Sequence, residues 1–280
     1  MEQSTALEAV SITEQEFGQF QKFLYQMAGI KLSSGKKALV CSRLGKRLKQ
    51  FGLDSYGAYY KLLESGKAPN EVQIAVDLLT TNETFFFRER KHFDFLAQEI
   101  LPRANPYQRP FRVWSAASST GEEAYTTAMI LSDHLGEKPW EIVASDISTK
   151  VLERARKGHY PLEKADKIPA DYLKRYCLKG VGSQEGTFMI KPVLRSRVIF
   201  RHINLNNALP DLGEFDVIFL RNVMIYFEAA TKRQVIGRIL SHLRIGGYLM
   251  VGHSESLNGI SDALLSVMPS LYRKPQRPKA

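Results

Sequence analysis

The chain has 280 residues, 44% of them hydrophobic and 24% charged, which fits one large or two smaller globular domains and excludes a disordered or fibrous protein. Its formal net charge of +10 suits an acidic partner, whether nucleic acid, an anionic membrane surface or an acidic protein, and equally a basic surface kept for solubility. The longest apolar runs, such as 217–220, are far too short to span a bilayer; the two cysteines, Cys41 and Cys177, fit no metal spacing; and residues 1–10 lack a basic signal-peptide start, so a reduced cytoplasmic protein is expected.

Residues 1–80 read as all-helical. Thr13 and Glu16 form a capping box, and Phe17, Phe20, Leu24 and Met27 follow at helical spacing. A second amphipathic helix is predicted over 36–51, with Val40, Leu44, Leu48 and Phe51 on its apolar side and Arg43, Lys46 and Arg47 together on another face. Shorter helices are expected over 56–63 and 71–79, separated by a turn at 66–70. Residues 81–110 form a bridge with a helix from Lys91 to Ile100, punctuated by Pro102, Pro106 and Pro110. Within the bridge, Phe85, Phe86 and Phe87 fit no simple amphipathic helix. They read as a plug between two domains or as part of a lid whose polar residues face a cofactor.

From residue 111 strands and helices alternate. Strands are predicted over 112–115, 141–145, 198–203, 215–220 and 248–252, with helices over 122–135, 149–157 and 229–243. That order implies an α/β fold, a doubly wound parallel sheet in a domain spanning 111–280. Residues 158–197 interrupt it with a helix over 171–178, a glycine-rich stretch and a strand over 187–191, which suggests a small antiparallel β insertion. Gly246 reads as a helix C-cap, and the tail from Arg273 as disordered.

The first strand breaks into small residues, Ser115 to Thr120, and then enters a helix through Glu122 and Glu123. Small side chains let a ligand approach the backbone, but an acidic helix start is a poor cradle for pyrophosphate. The pattern points away from dinucleotides and toward S-adenosylmethionine (AdoMet), a sulfonium nucleoside without phosphate. Asp146, at the end of the second strand, is placed to receive ribose hydroxyls, or to cap the next helix. Arg221, Asn222 and Tyr226 lie just past the strand at 215–220, where open α/β sheets place active sites; Tyr226 also reads as a core aromatic. Leu243 to Leu249, a helix end followed by two glycines and a strand, resembles a phrase found late in many AdoMet-dependent methyltransferases.

Taken in order, Asn82-x-Thr84-x-Phe86-Phe87-Arg88, Trp114 to Ala117, Thr120 to Glu123, Ala144 to Ile147, Arg221 to Phe227 and Gly252 to Glu255 resemble the CheR family of chemotaxis receptor methyltransferases over nearly the whole chain. The resemblance implies an all-helical N-terminal domain, a linker, an AdoMet-binding domain and an inserted β-subdomain. It implies AdoMet contacts from Asn82, Thr84, Arg88, Glu123, Asp146, Asn204, Leu205, Arg221 and Asn222, with Glu122 able to share the role of Glu123. Arg88 and Tyr226 would be the catalytic pair nearest the transferred methyl, no metal is implied, and the product cofactor would be S-adenosylhomocysteine. The implied reaction is methylation of glutamate carboxylates on transmembrane chemoreceptors by a cytoplasmic monomer that enters no membrane and binds no nucleic acid. Arg43, Lys46 and Arg47 would then steer acidic receptor helices, and Lys179, Gly180, Gly182 and Gly186 match a pattern that binds a C-terminal receptor tether. Met189 stands where tether-binding relatives carry a base; Lys191, two residues on, is expected on the same strand face. The rival readings are a non-catalytic AdoMet-binding scaffold and an RNA methyltransferase, although the chain has no RNA-binding module signature.

Overall fold

The computed structural model describes residues 11–276, in two units divided after Thr81. The expectations for the first ten residues, and for the last four residues of the tail, lie outside the described residues.

In the first unit, helix α1 (Glu14–Ala28) begins at the capping box: Thr13 Oγ1 accepts the Glu16 amide at 3.2 Å, and Glu16 accepts the Thr13 amide at 2.9 Å. Helices α2 (Lys37–Phe51), α3 (Tyr56–Glu64) and α4 (Pro69–Leu79) follow. Fully buried Phe20 is ringed by Tyr56, Tyr59 and Tyr60 with centroids 5.9–6.4 Å away, so aromatic packing organises this small core.

The second unit opens with a short helix, α5 (Arg90–Phe95), extended by a wider π turn over Leu96–Ile100. Strand β1 (Phe111–Ser115), helix α6 (Glu122–Leu135), strand β2 (Trp140–Asp146) and helix α7 (Thr149–Lys157) form the first wound half. The insertion then supplies β3 (His159–Pro161), α8 (Ala170–Tyr176), β4 (Cys177–Lys179) and β5 (Thr187–Ile190), and α9 (Pro192–Arg195) leads back. The second half is β6 (Val198–His202), β7 (Phe215–Leu220), α10 (Ala229–His242), β8 (Leu243–Val251), β9 (Leu265–Met268) and β10 (Leu271–Arg273).

The main sheet runs β6-β2-β1-β7-β8-β10-β9. Its first five strands are parallel, and β10 and β9 complete it antiparallel. Every residue of β7 is buried, as expected for a central strand covered on both faces. The insertion forms a separate antiparallel sheet, β3-β5-β4. It is stitched to the start of α6: the Tyr160 hydroxyl donates to the Thr120 carbonyl at 2.7 Å, and Lys164 pairs with Glu122. Among the described residues no helix is long and apolar enough to cross a membrane.

Three expectations are corrected. Gly246 does not cap a helix; α10 ends at His242, and Gly246 and Gly247 lie inside β8. A Cβ on Gly247 would sit 2.9 Å from the Asp216 carbonyl oxygen, so the pair serves close strand packing. The tail is ordered at its start: Lys274 donates its amide to Gly247 and its ammonium to the Leu240 and Leu243 carbonyls, which closes the end of α10. The three phenylalanines do not act together. Phe86 is fully buried against Tyr160 and Phe188, Phe87 packs on Phe93 and Tyr172, and Phe85 is exposed under the Arg88 guanidinium.

Candidate active site

The C-terminal ends of β1, β2, β6, β7 and β8 lie side by side, and their loops carry most of the residues singled out from the sequence. Asp146 ends β2 and braces two loops. Its Oδ2 accepts the Ser119 amide at 2.8 Å, and its Oδ1 accepts the Ser148 amide at 2.9 Å. Ser148 itself caps α7, accepting the Val151 amide, so the cap and the acid are different residues. Ser119 Oγ donates to the Asn82 carbonyl at 2.7 Å, which ties the segment leading into Arg88 to the loop after β1. Asn204 and Leu205 follow β6. Asn204 turns the chain by accepting the Asn206 amide at 2.9 Å, and the preceding Ile203 amide donates to the Asp146 carbonyl at 3.1 Å.

The two adjacent glutamates separate. Glu122 is fully buried and faces the insertion through Thr120 and Lys164. Glu123 faces the strand ends: it accepts the Ser115 hydroxyl at 2.6 Å, and its Oε2 lies 3.3 Å from Arg221 Nη1. Burial pushes the Glu123 carboxyl above its usual range, with Arg221 only partly offsetting the effect. The two glutamates thus have different partners, because α6 points their side chains in different directions.

Arg221 joins three elements. Its Nε donates to Glu89 Oε2 at 3.2 Å, its Nη2 to the Arg88 carbonyl, and its Nη1 is buried without a hydrogen-bond acceptor. Glu89 also accepts the Asn222 side-chain amide at 3.2 Å and the His253 main-chain amide at 3.1 Å. Burial opposes ionisation of Glu89, but Arg221 and these donors outweigh it and hold the carboxyl below its usual range. His92, fully buried, lies 2.8 Å from Ser270 Oγ through Nε2; burial and then Arg221 push it down to about 4, so it is neutral at neutral pH. Ligating atoms of Glu89, His92 and His253 come within 4.8 Å of one another, but the positive charge already seated on Glu89 is the Arg221 guanidinium.

Five residues other than glycine have positive φ among the described residues: Phe87, Glu89, Ser119, Asn222 and Ser270. Glu89, Ser119 and Asn222 line this edge, Phe87 packs on the core just before it, and Ser270 holds His92. Such backbone costs about 1–3 kcal/mol per residue and persists only where surrounding contacts over-determine it, as they do at functional sites.

Arg88 and Tyr226 are less tightly held. The Arg88 guanidinium donates to the Glu83 carbonyl at 2.9 Å and lies over Phe85. Tyr226 is half-buried in the short turn Met224–Tyr226, and its hydroxyl hydrogen-bonds no described residue. Thr84 is half-buried in the same extended segment as Asn82. Two residues unassigned in the sequence organise this edge: Glu89, and Glu255, whose carboxylate accepts main-chain amides from both flanking loops. Glu255 lies in the Gly252–Glu255 phrase, so the signal is visible in the sequence although the role is not.

Elsewhere the basic face of α2 divides. Arg43 donates to the Leu79 and Thr80 carbonyls at the end of α4, and Arg47 forms a forked pair with buried Glu71. Lys46 is exposed. In the insertion, Gly180 has no room for a side chain, because a Cβ would lie 1.9 Å from the Gln184 carbonyl oxygen. Gly182 and Gly186 take positive φ, so these glycines shape the loop, while Lys179 and Val181 are exposed beside it. Lys191 falls one residue past β5 and reaches toward α8, with Nζ 3.5 Å from the Lys174 carbonyl, so it does not continue the strand face of Met189.

The strand edge thus brings together the Asp146 carboxylate, the buried Arg221 guanidinium with one nitrogen lacking a hydrogen-bond acceptor, and the buried Glu123 carboxyl beside it. Carboxylates beside a guanidinium suit a ligand that carries hydroxyls and both signs of charge. Residues 15–80 match the family description "CheR methyltransferase, all-alpha domain", and residues 82–271 match "CheR methyltransferase, SAM binding domain". A chemotaxis protein methyltransferase 2 of Pseudomonas aeruginosa is 44% identical over 263 residues, covering 93% of each chain. The chemotaxis protein methyltransferase of Escherichia coli is 41% identical over 256 residues, 90% of this chain and 87% of that one. With both units matched along nearly their whole length, the chain belongs to the CheR methyltransferase family.

Proposed function

We propose that this AdoMet-dependent methyltransferase of chemotaxis methylates glutamate side-chain carboxylates of transmembrane chemoreceptors, acting in the cytoplasm as a monomer and releasing S-adenosylhomocysteine. The observation that carries this reading is the strained, cross-braced strand edge that presents both signs of charge. When bound, AdoMet supplies a methyl group already activated by its sulfonium. Asp146 would accept ribose hydroxyls, and Asn204 and Leu205, one strand away, would border the nucleoside. Arg221 would turn its Nη1, which has no hydrogen-bond acceptor, to the cofactor carboxylate. Glu123, whose burial Arg221 only partly offsets, would face the cofactor's cationic end, with Asn82, Thr84 and Asn222 closing around it.

The acceptor glutamate is ionised at neutral pH, so no general base is needed and the task is alignment. Arg88, held only at the surface of its own segment, would take one acceptor oxygen. Tyr226 would donate its uncommitted hydroxyl to the acceptor and leave a lone pair free to attack. Receptor helices would be steered by Lys46, with Arg43 adding charge, and a receptor tether would pair along edge strand β4 beside the Lys179–Gly186 loop. Incubation with radiolabelled AdoMet and receptor-bearing membranes tests the assignment. Base-labile label on the receptor supports a carboxyl methyl ester, and label on RNA overturns it.

Two variants separate binding from chemistry. Tyr226→Phe should lower turnover at saturating receptor while AdoMet affinity stays at its original value; unchanged turnover would return Tyr226 to a packing role. Asp146→Ala removes charged hydrogen bonds worth about 1.5–3 kcal/mol, so calorimetry should show correspondingly weaker AdoMet binding. Wild-type affinity in that variant would sink the ribose assignment.

A further inference from the structure

The beginnings of the parallel strands, at the other end of the sheet from the site above, border a cavity of about 350 Å³. Four arginines enter its wall from four segments: Arg103 after the π turn, Arg109 before β1, Arg244 in β8 and Arg273 in β10. Two carboxylates, Glu99 and Asp216, share the wall, which leaves an excess of two positive charges among these six groups.

The carboxylates do not use up the donors. Glu99 pairs with Arg103 at 2.8 Å. Asp216 is oversubscribed: it takes Arg109 through two contacts, at 2.5 and 3.0 Å, Arg244 at 2.5 Å and the Arg112 amide at 3.0 Å. Arg244 spends only Nη1 there, and its Nε and Nη2 hydrogen-bond no described residue. Arg273 gives only Nε, to the Gly246 carbonyl at 3.2 Å, and lies over the Tyr248 ring.

We propose that this cavity binds a small phosphate-bearing anion of up to nucleotide size. Its volume falls in the range of small-molecule sites, about 300–1,000 Å³. Asp216 shows which chemistry the forks accept, since Arg109 grips its two oxygens side by side. A planar carboxylate offers two oxygens in one plane, whereas a phosphate offers three or four in different directions and can satisfy forks converging from separate segments. Arg244 and Arg273 supply the uncommitted donors, and Tyr248 with Arg273 gives a flat wall for a ring.

Calorimetry on the full chain, with inorganic pyrophosphate and with ADP in separate titrations, tests it. Saturable one-to-one heat is expected. Arg244→Gln combined with Arg273→Gln should weaken that binding at least about tenfold, since it removes the charge-assisted donors. Lys61→Gln, an exposed lysine of the other unit, should change nothing, and methylation without added anion should be unaltered in the double variant. Equal affinities for the two probes would identify free diphosphate as the ligand class, and tighter ADP binding a nucleotide. No saturable heat at millimolar probe, or equal affinity in the double variant, overturns the proposal. So does binding to phosphatidylglycerol vesicles that the double variant loses while neither small anion binds, because the basic wall would then serve a membrane surface.

Discussion

Arg47→Ala should destabilise the helical unit by about 3–5 kcal/mol, the cost of stranding one partner of a buried ion pair. Arg47 reaches Glu71 from α2 to α4 with Nε and Nη2, and the Tyr59 hydroxyl donates to the same carboxylate at 2.5 Å. With the pair in place the Glu71 side chain is 3% exposed and that of Arg47 17%, so both charges are largely shielded from water. Trp114 and Trp140 both lie beyond Thr81, so tryptophan fluorescence reports the second unit while far-UV circular dichroism reports both. In urea, far-UV dichroism should begin to fall at lower denaturant than in the original protein, and the tryptophan transition should hold. Replacing the triad with apolar residues, Arg47→Met, Glu71→Leu and Tyr59→Phe, should recover most of the loss. If Arg47→Ala melts like the original protein, the pair is not structural. Burial opposes ionisation of Glu71, yet Arg47 and Tyr59 together hold its carboxyl below the usual range. The stabilisation is thus present above the ordinary glutamate range and lost as pH falls through the lowered value.

The same pair changes how receptor steering can be examined. Removing Arg43, Lys46 and Arg47 together would weaken the unit as well as its charge. Lys46→Ala alone changes an exposed charge, so its effect on methylation rate and salt dependence reads steering directly.

The sequence shows charges on a helical face but not which of them another helix will claim. Glu71 lies 24 residues from Arg47, and nothing in the periodicity of α2 announces it. Elements with strong local signals are legible: the Thr13 capping box, the helical spacing of Phe17, Phe20 and Leu24, and the continuous apolar run of β7. Short strands are not. β3, β4 and β10 have three residues each, and β9 is mostly exposed, so neither length nor alternation marks them. At the site, Asp146, Arg221 and Asn222 are legible because strand ends mark them. Glu89 escapes because its role is set by Arg221, 132 positions later, and by a positive φ that no composition rule assigns to glutamate. The split between Glu122 and Glu123 requires knowing that Lys164 of the insertion approaches one of them.

Glu255→Gln should cut turnover about 10–100-fold with little loss of AdoMet affinity, and Glu255→Ala should impair both. The Glu255 carboxylate is 8% exposed and accepts three main-chain amides: Gly252 at 2.6 Å and Asn222 at 2.8 Å on Oε2, and Ile225 at 3.1 Å on Oε1. It thereby pins the loop after β7, which carries Asn222 and Tyr226, to the loop after β8. Gly252 must lack a side chain for this, since a Cβ would fall 2.7 Å from Glu255 Oε2. A carboxylate can accept all three amides because it has no hydrogen of its own; a glutamine has only one acceptor oxygen. That oxygen should keep the shared position facing Gly252 and Asn222, where two bonds are made. The glutamine NH2 then opposes the Ile225 amide, donor against donor, and the turn bearing Tyr226 loosens while Asn222 stays. A displacement of about 1 Å at a positioning group costs about a hundredfold in rate, which sets the upper bound. If Glu255 acts through Tyr226, adding Glu255→Gln to Tyr226→Phe should cost little more than Tyr226→Phe alone. Fully multiplicative losses in the double variant, or unchanged turnover in Glu255→Gln with its fold intact, would show that the clamp does not position Tyr226.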